Sequence, residues 1–301
     1  DDEVSEGSGN WQLPPDRRAR AGDLIQRSDS LAPESLVDLN SALVADVIVI
    51  ATDAGSSLED TPVHVHLQGS GAPAFSQPRV LVDVAHNSRL TLSLEHSGRE
   101  GTLANAVTQA WVGQGGHLDL IRVQCLPDDG MLTDTSRIEL AAGASVHVTS
   151  VDLGSLLSRQ SITVVLAGTG ATATVDGLFL ADGHRHIDNR TLLEHQAPAT
   201  TSRESFRGLA DGHGRGVFNG KIIVMPGAPG SNAALSNRNL LLAATAEIDT
   251  KPELEIYVDD VRCSHGATTG QLDANALFYL RSRGLDPAAA RQVLTAAYLC
   301  E

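Results

Sequence analysis

Apolar residues two positions apart recur along this chain at nearly constant intervals. Leu92/Leu94, Leu118/Leu120, Val146/Val148 and Ala173/Val175 follow one another at steps of 26, 28 and 27 residues. A second series, Ile138/Leu140 and Val164/Leu166, repeats at 26. On an extended strand, residues two apart share a face. Three of the first four pairs stand behind turn-forming glycines: Gly115-Gly116, Gly143 and Gly170. A strand-only repeat of this length marks a solenoid, in which no coil can bury its inward side chains until a neighbour stacks on it.

Between about residue 43 and residue 258 the chain is a succession of short apolar runs closed by Gly, Asn, Asp or Pro. They include Val47 to Ile50, Val63 to Leu67, Val80 to Val84, Ile162 to Leu166, Ile222 to Val224 and Leu254 to Val258. No apolar stripe of helical length interrupts them, so the doubly wound folds, which need crossover helices, are disfavoured. A β-sandwich with evenly spaced turns is the competing arrangement. Aromatic residues make up only 3% of the chain, so Val, Leu, Ile and Ala must fill the core. That suits thin stacked coils. The segmentation reads as a polar segment at 1–39, a β body at 40–270 and a helical domain at 271–301.

The helical domain announces itself by its caps. Asp273 can cap a helix through Leu277 and Leu280, Gly284 stands where that helix should stop, and Asp286-Pro287 starts a second one. The chain stops at Cys300-Glu301, and the domain reads as cut short there. Cys125, Cys263 and Cys300 are odd in number and widely spaced, which argues against a disulfide framework and a zinc ribbon and points to a reducing, cytoplasmic setting. No apolar stretch approaches a membrane span. A formal net charge of -15 disfavours nucleic acid and anionic membrane surfaces as partners.

Most chemical motifs fail on inspection. Gly214 to Lys221 resembles a phosphate loop, but Arg215 stands where the first glycine is required and Ile222 follows the lysine. It reads as a turn, and the chain is expected to bind no nucleotide. His64/His66 and His184/His186 could each face one side of a strand, yet neither pair has a third ligand nearby. Asp259-Asp260 reads as a turn. One constellation survives: Cys263 and His265, two apart on an extended segment, present a thiol and an imidazole, both good ligands for iron. Two donors do not make a site, so the remaining ligands must come from elsewhere, with another chain as one source. The alternative reading of that short segment is a buried cysteine beside a satisfied histidine.

The run from Ser236 to Gln271, containing SNRNLLL and DDVRCSHGATTGQ, together with GVFNGK at Gly216 to Lys221 and Ala276 to Gly284, resembles the SufD branch of the SufB/SufD family, subunits of the SUF iron–sulfur cluster assembly machinery. Weaker similarity reaches back through Gly183 to Asn189 to about Asn40. The resemblance implies a mainly β fold: a right-handed parallel β-helix with a C-terminal α-helical hairpin. It implies a non-catalytic scaffold rather than an enzyme. It also implies a SufB-like partner on the last β-helix strands and a SufC-like ATPase on the C-terminal helices, and it leaves open a homodimer in isolation. His265 matches the family histidine that helps hold a nascent iron–sulfur cluster shared with SufB, with Cys263 beside it. Two departures stand out: little room for an N-terminal helical region, and an unfamiliar turn at Pro229 to Asn232. A stand-alone β-helix enzyme acting on polysaccharide is the alternative, and it lacks the aromatics and paired carboxylates such a groove needs.

Overall fold

The computed structural model describes residues 20, 22–24, 26–27, 35–45, 47–69 and 75–300, with the side chain of Cys300 set aside. Strands alternate between two sheets, so each coil gives one strand to each. The first sheet runs in the order β1 (Val47–Ala51), β4 (Arg79–Val84), β6 (Leu103–Val112), β8 (Met131–Leu140), β10 (Leu157–Leu166), β12 (His186–His195), β14 (Arg215–Val224) and β16 (Glu247–Ile256). The short β3 (Phe75–Ser76) joins it against β6. The second sheet runs β2 (Ser57–Gly69), β5 (Arg89–Gly98), β7 (His117–Gln124), β9 (Ser145–Asp152), β11 (Thr172–Ala181), β13 (Thr201–Ala210), β15 (Ser231–Leu241) and β17 (Val261–Gln271). The pairings between coils are parallel. That excludes the sandwich, whose sheets are antiparallel. The body is a parallel β-helix.

Register confirms most of the spacing and corrects one step. Leu118 pairs with Val146 and Val146 with Ala173; Ile138 pairs with Val164. Leu118 and Leu120, however, stack on Leu90 and Leu92, not on Leu92 and Leu94. The true step there is two residues longer. A slip of two keeps every side chain on its face, so alternation alone cannot detect it.

One column of turns fastens the coils. Gly55, Asn87, Gly115, Gly143, Gly170, Ala199 and Gly230 all have positive φ. Each donates its N–H to a carbonyl in the next coil, at 2.7–3.1 Å. The left-handed conformation aims that N–H along the stack, and glycine adopts it without a Cβ penalty. Ala199, at φ 57, adopts it at a cost.

The interior has an apolar half and a polar half. Val80, Val82, Val84, Ile138, Leu140, Val164 and Leu166 meet Leu90, Leu92, Leu118, Leu120, Val146 and Val148 in one continuous cluster. Beside it lies a buried ionic group that the sequence reading missed. Arg122 pairs through Nε with Asp134 and through a terminal nitrogen with Asp152 at 2.9 Å, and His96 lies 3.3 Å from Asp134. Burial opposes charge on Arg122, but Asp152 and Asp134 outweigh it and hold the guanidinium above its ordinary value. Burial would likewise raise the Asp134 carboxyl, yet Arg122 and His96 hold it well below the carboxylate range. Removing one partner would strand the others uncompensated.

The coil made by β12 and β13 is polar across its width. Asn189, Thr191, His195, Thr200, Ser202 and Glu204 are all buried. Thr191 donates to Glu204 at 2.5 Å, while His195 contacts Thr200 and Ser202 at 2.8 and 2.9 Å. Burial pushes Glu204 up to about 8 and His195 down to about 4.

Outside the coils, α1 (Ser35–Leu43) lies on the first sheet. The buried Asn40 donates to the carbonyls of Asn105 and Pro78 at 2.8 and 3.2 Å, and Asn105 donates back to Leu36 at 2.9 Å. Leu24 fills a pocket against Leu81 and Trp111. The rest of the polar segment 1–39 lies largely outside the described residues. At the other end, α2 (Ala274–Ser282) is capped by Asp273, which accepts from Asn275, and Gly284 follows it at φ 97. Asp286 accepts from Ala288 and Ala289 to start α3 (Pro287–Cys300). Arg207 donates to the Tyr298 carbonyl, and Arg291 to that of Leu242 at 2.6 Å, which clamps α3 to the β body. Gly216 to Lys221, expected as a turn, lies inside β14 with Phe218 fully buried. A full strand's alternation is hidden there by glycines at inward positions, which make room for Phe179, Phe218 and Leu235.

Two stability predictions follow from these interactions. A raised carboxyl retains stability below the ordinary glutamate value and loses it as pH rises through about 8. His195 works oppositely, losing stability as pH falls from the ordinary imidazole value through about 4. Of these two groups only the glutamate should act between pH 6.5 and 8, so wild type should lose roughly 1.5 kcal/mol over that range while Glu204→Gln stays nearly flat, as read by urea denaturation. Ala199→Gly should raise stability by about 0.5–1 kcal/mol by removing left-handed strain, measured the same way.

Candidate functional site

The β-helix ends at β16 and β17, and among the described residues no strand covers their outer edges. Cys263 is the register partner of Ala233 and His265 that of Leu235, both buried core residues. Cys263 and His265 therefore occupy inward positions, on one face, of a coil that has no coil above it. Cys263 is half-buried at the rim of the core, whereas His265 is exposed. The loss of a covering coil turns two positions that would be core into a surface.

The backbone of the last coil is equally open. Alternate residues of a strand direct N–H and C=O to opposite neighbours. Asn232 donates to Thr200 in the coil behind, so Ala233 and Leu235 face β17, and their partners alternate in turn. Cys263, His265, Ala267 and Thr269 consequently point N–H and C=O out of the free edge. In β16, Glu247 and Tyr257 donate backward to Gly214 and Val224, which leaves Thr250, Pro252 and Leu254 facing the edge. Pro252 has no N–H to offer, so the donor row of β16 is broken at its middle while that of β17 is continuous. Asn239, buried beneath β17, reaches Thr269 at 3.5 Å.

Burial raises the Cys263 thiol, only partly offset by a hydrogen bond from the Ala233 backbone. At neutral pH it is a thiol, and a bound cation must displace its proton before the sulfur becomes a ligand. The thiol and the imidazole are two donors, and among the described residues no group of three or more His, Cys, Asp or Glu side chains is arranged to hold a metal. Asp259 and Asp260 sit in the bend before β17.

The remaining candidates separate. His64 and His66 lie on the exposed face of β2, where His66 meets Ser97 at 2.6 Å. His184 and His186 do not form a strand pair: His184 is in a turn and stacks on His213 at 5.2 Å, while His186 opens β12. The expectation failed because the turn ends between them. Cys125 is exposed, immediately after β7. On the helical hairpin, Phe278, Tyr279 and Val293 are large exposed apolar side chains. Among the described residues no helix is long and apolar enough to cross a membrane.

Residues 65–298 match the family described as SUF system FeS cluster assembly, SufBD core domain. An iron–sulfur cluster assembly SufBD family protein of Synechocystis is 30% identical over 297 residues, covering 95% of this chain and 65% of the relative. The iron–sulfur cluster assembly protein SufD of Escherichia coli is 40% identical over 162 residues, 54% of this chain and 38% of the relative. A SufBD family protein of Mycobacterium leprae is 28% identical over 283 residues, 91% and 70% respectively. The chain thus spans less than two thirds of the length of the first two. With the family match extending over most of the coils and through the hairpin, the chain belongs to the SufBD core-domain family of the SUF iron–sulfur cluster assembly system.

Proposed function

We propose that the chain is a non-catalytic scaffold subunit that supplies a ligand and a docking edge for assembly of an iron–sulfur cluster. The observation that carries this reading is the uncovered last coil. It offers His265 and Cys263 on the same end surface as an unpaired strand edge. A SufB-like partner adding a strand to β17 would satisfy the free backbone groups, as strand addition generally does. The same act would carry the partner's own ligands to His265. A second copy of this chain can use the same edge when that partner is missing.

The nascent cluster is cargo in this reading. His265 contributes a neutral imidazole lone pair to iron, and Cys263 contributes sulfur after losing its proton to solvent. The hairpin supports a second contact, with a SufC-like ATPase, because Phe278, Tyr279 and Val293 present apolar surface away from the body. Its attachment through Arg207 and Arg291 gives a route by which movement of the hairpin reaches β13 and β15, the strands behind the site. Nucleotide chemistry belongs to that partner: the loop-like stretch Gly214 to Lys221 is strand from Arg215 onward. The protein functions in the cytoplasm on this reading.

His265→Ala should leave the fold and partner binding unchanged but lower iron and sulfide retained by the co-purified complex at least several-fold. Iron and acid-labile sulfide assays, with the visible absorption of the cluster, measure this. Cys263→Ser should have the smaller effect. Equal loading of the His265→Ala complex would remove the ligand assignment.

A further inference from the structure

The first residues of successive strands in the first sheet form an apolar stripe on its outer wall. Phe75, Leu103, Met131 and Leu157 are cross-strand partners in consecutive coils. At about 4.8 Å per strand the stripe is about 14 Å long. Phe75, Leu103 and Met131 are 49%, 41% and 38% exposed. Isolated apolar side chains on a surface are ordinary, whereas a contiguous row marks an interaction site.

Each end of the stripe opens into a concavity. Toward the N-terminus, Leu43 of α1, Phe75, Pro78 and Leu126 form the apolar part of the wall of a cavity of about 390 Å³, whose remaining lining includes His66, Gln68 and Gln77. At the other end, Leu156 borders a cavity of about 280 Å³ with Asp128, Asp182 and Arg185. Arg185 pairs with both carboxylates, at 2.6 Å to Asp128, so one cation serves two acids there. Glu100 and Asp129 are exposed in the adjoining turns, with Arg99 the only further cation among those turn residues. The rim carries net negative charge, and Asp128 is 85% exposed.

We propose that this stripe is a docking groove for a basic amphipathic segment of a partner protein. An apolar side chain of that segment fills the cavity beside Leu43 and Phe75. Its next apolar positions cover Leu103 and Met131, and a lysine or arginine reaches the carboxylates beside Leu156. The charge of the rim selects this occupant over an acidic or purely apolar one. The groove is separate from the open last coil and from the hairpin, so it serves a third contact.

The test is a fluorescence-anisotropy titration of the full chain at physiological salt. The probe is a labelled twelve-residue helical peptide with leucines at positions i, i+3, i+4 and i+7 and lysines elsewhere. Saturable binding is expected, weakened at least tenfold by Met131→Glu and at least threefold by Asp128→Asn. Peptides with serine for leucine, or glutamate for lysine, should not bind. Circular dichroism and melting checks that the variants fold; for a variant that does not, Leu103→Gln takes its place. Absence of saturable binding, or binding that Met131→Glu leaves unchanged, overturns the proposal. So does self-association in sedimentation that Met131→Glu abolishes, because the occupant would then be a second copy.

Discussion

Parallel hydrogen bonding between coils, held in one continuous register, is the constraint on which the rest of this protein depends. It places each side chain directly over its counterpart in the coil before. Leu92, Leu120, Val148, Val175, Glu204, Leu235 and His265 thereby form a single inward column. Chemistry along that column is decided by whether a coil lies above. Glu204, enclosed on both sides, is held neutral into the slightly alkaline range. His265, two coils on, stands in solvent. The same geometry that penalises a charge at one position exposes an imidazole at the other.

Much of this was legible in the sequence because inward positions in the apolar half obey strict alternation. Val146/Val148 and Ala173/Val175 could be matched by counting, and the glycines behind them marked left-handed turns. What escaped notice has physical reasons. Leu90, Leu92 and Leu94 are chemically equivalent, so their pairing is ambiguous by two residues. His96, Arg122, Asp134 and Asp152 look like solvent-facing residues of a half-exposed strand, since only their cross-coil pairing makes their burial tolerable. α1 is short, and Asn40, the residue that seats it, is polar. The role of the candidate site rests on the family resemblance, and only its pair, Cys263 and His265, was picked out by residue type and spacing. Its position on an uncovered coil could not be, because the end of a solenoid resembles its middle in sequence.

The two ends of the solenoid are unlike. At the first coil, β2 breaks register between Leu58 and Val63 and carries Glu59, Asp60 and Pro62 on its exposed stretch. A bulge, charges and a proline are the devices that keep an edge from recruiting strands. β17 has neither a bulge nor a proline in its length, and its one Lys, Arg, Asp or Glu is Arg262 at its start. β16 has Pro252, with its missing donor facing outward. Under the scaffold reading a partner strand would be accepted along β17 and hindered on β16, which would direct docking at this end to the strand that carries Cys263 and His265.

That direction bears on why this chain alone would hold iron poorly under the scaffold reading. Clusters are typically held by four protein ligands, mostly thiolates. The last coil offers one imidazole and one thiol that is protonated at rest. A further coil of the same chain would bury both donors, as Ala233 and Leu235 are buried one coil earlier. A strand from another protein, entering at the edge of β17, leaves the inward face open to whatever ligands that protein presents. On that reading the absence of a covering coil among the described residues makes the donors available, and their small number makes the partner necessary.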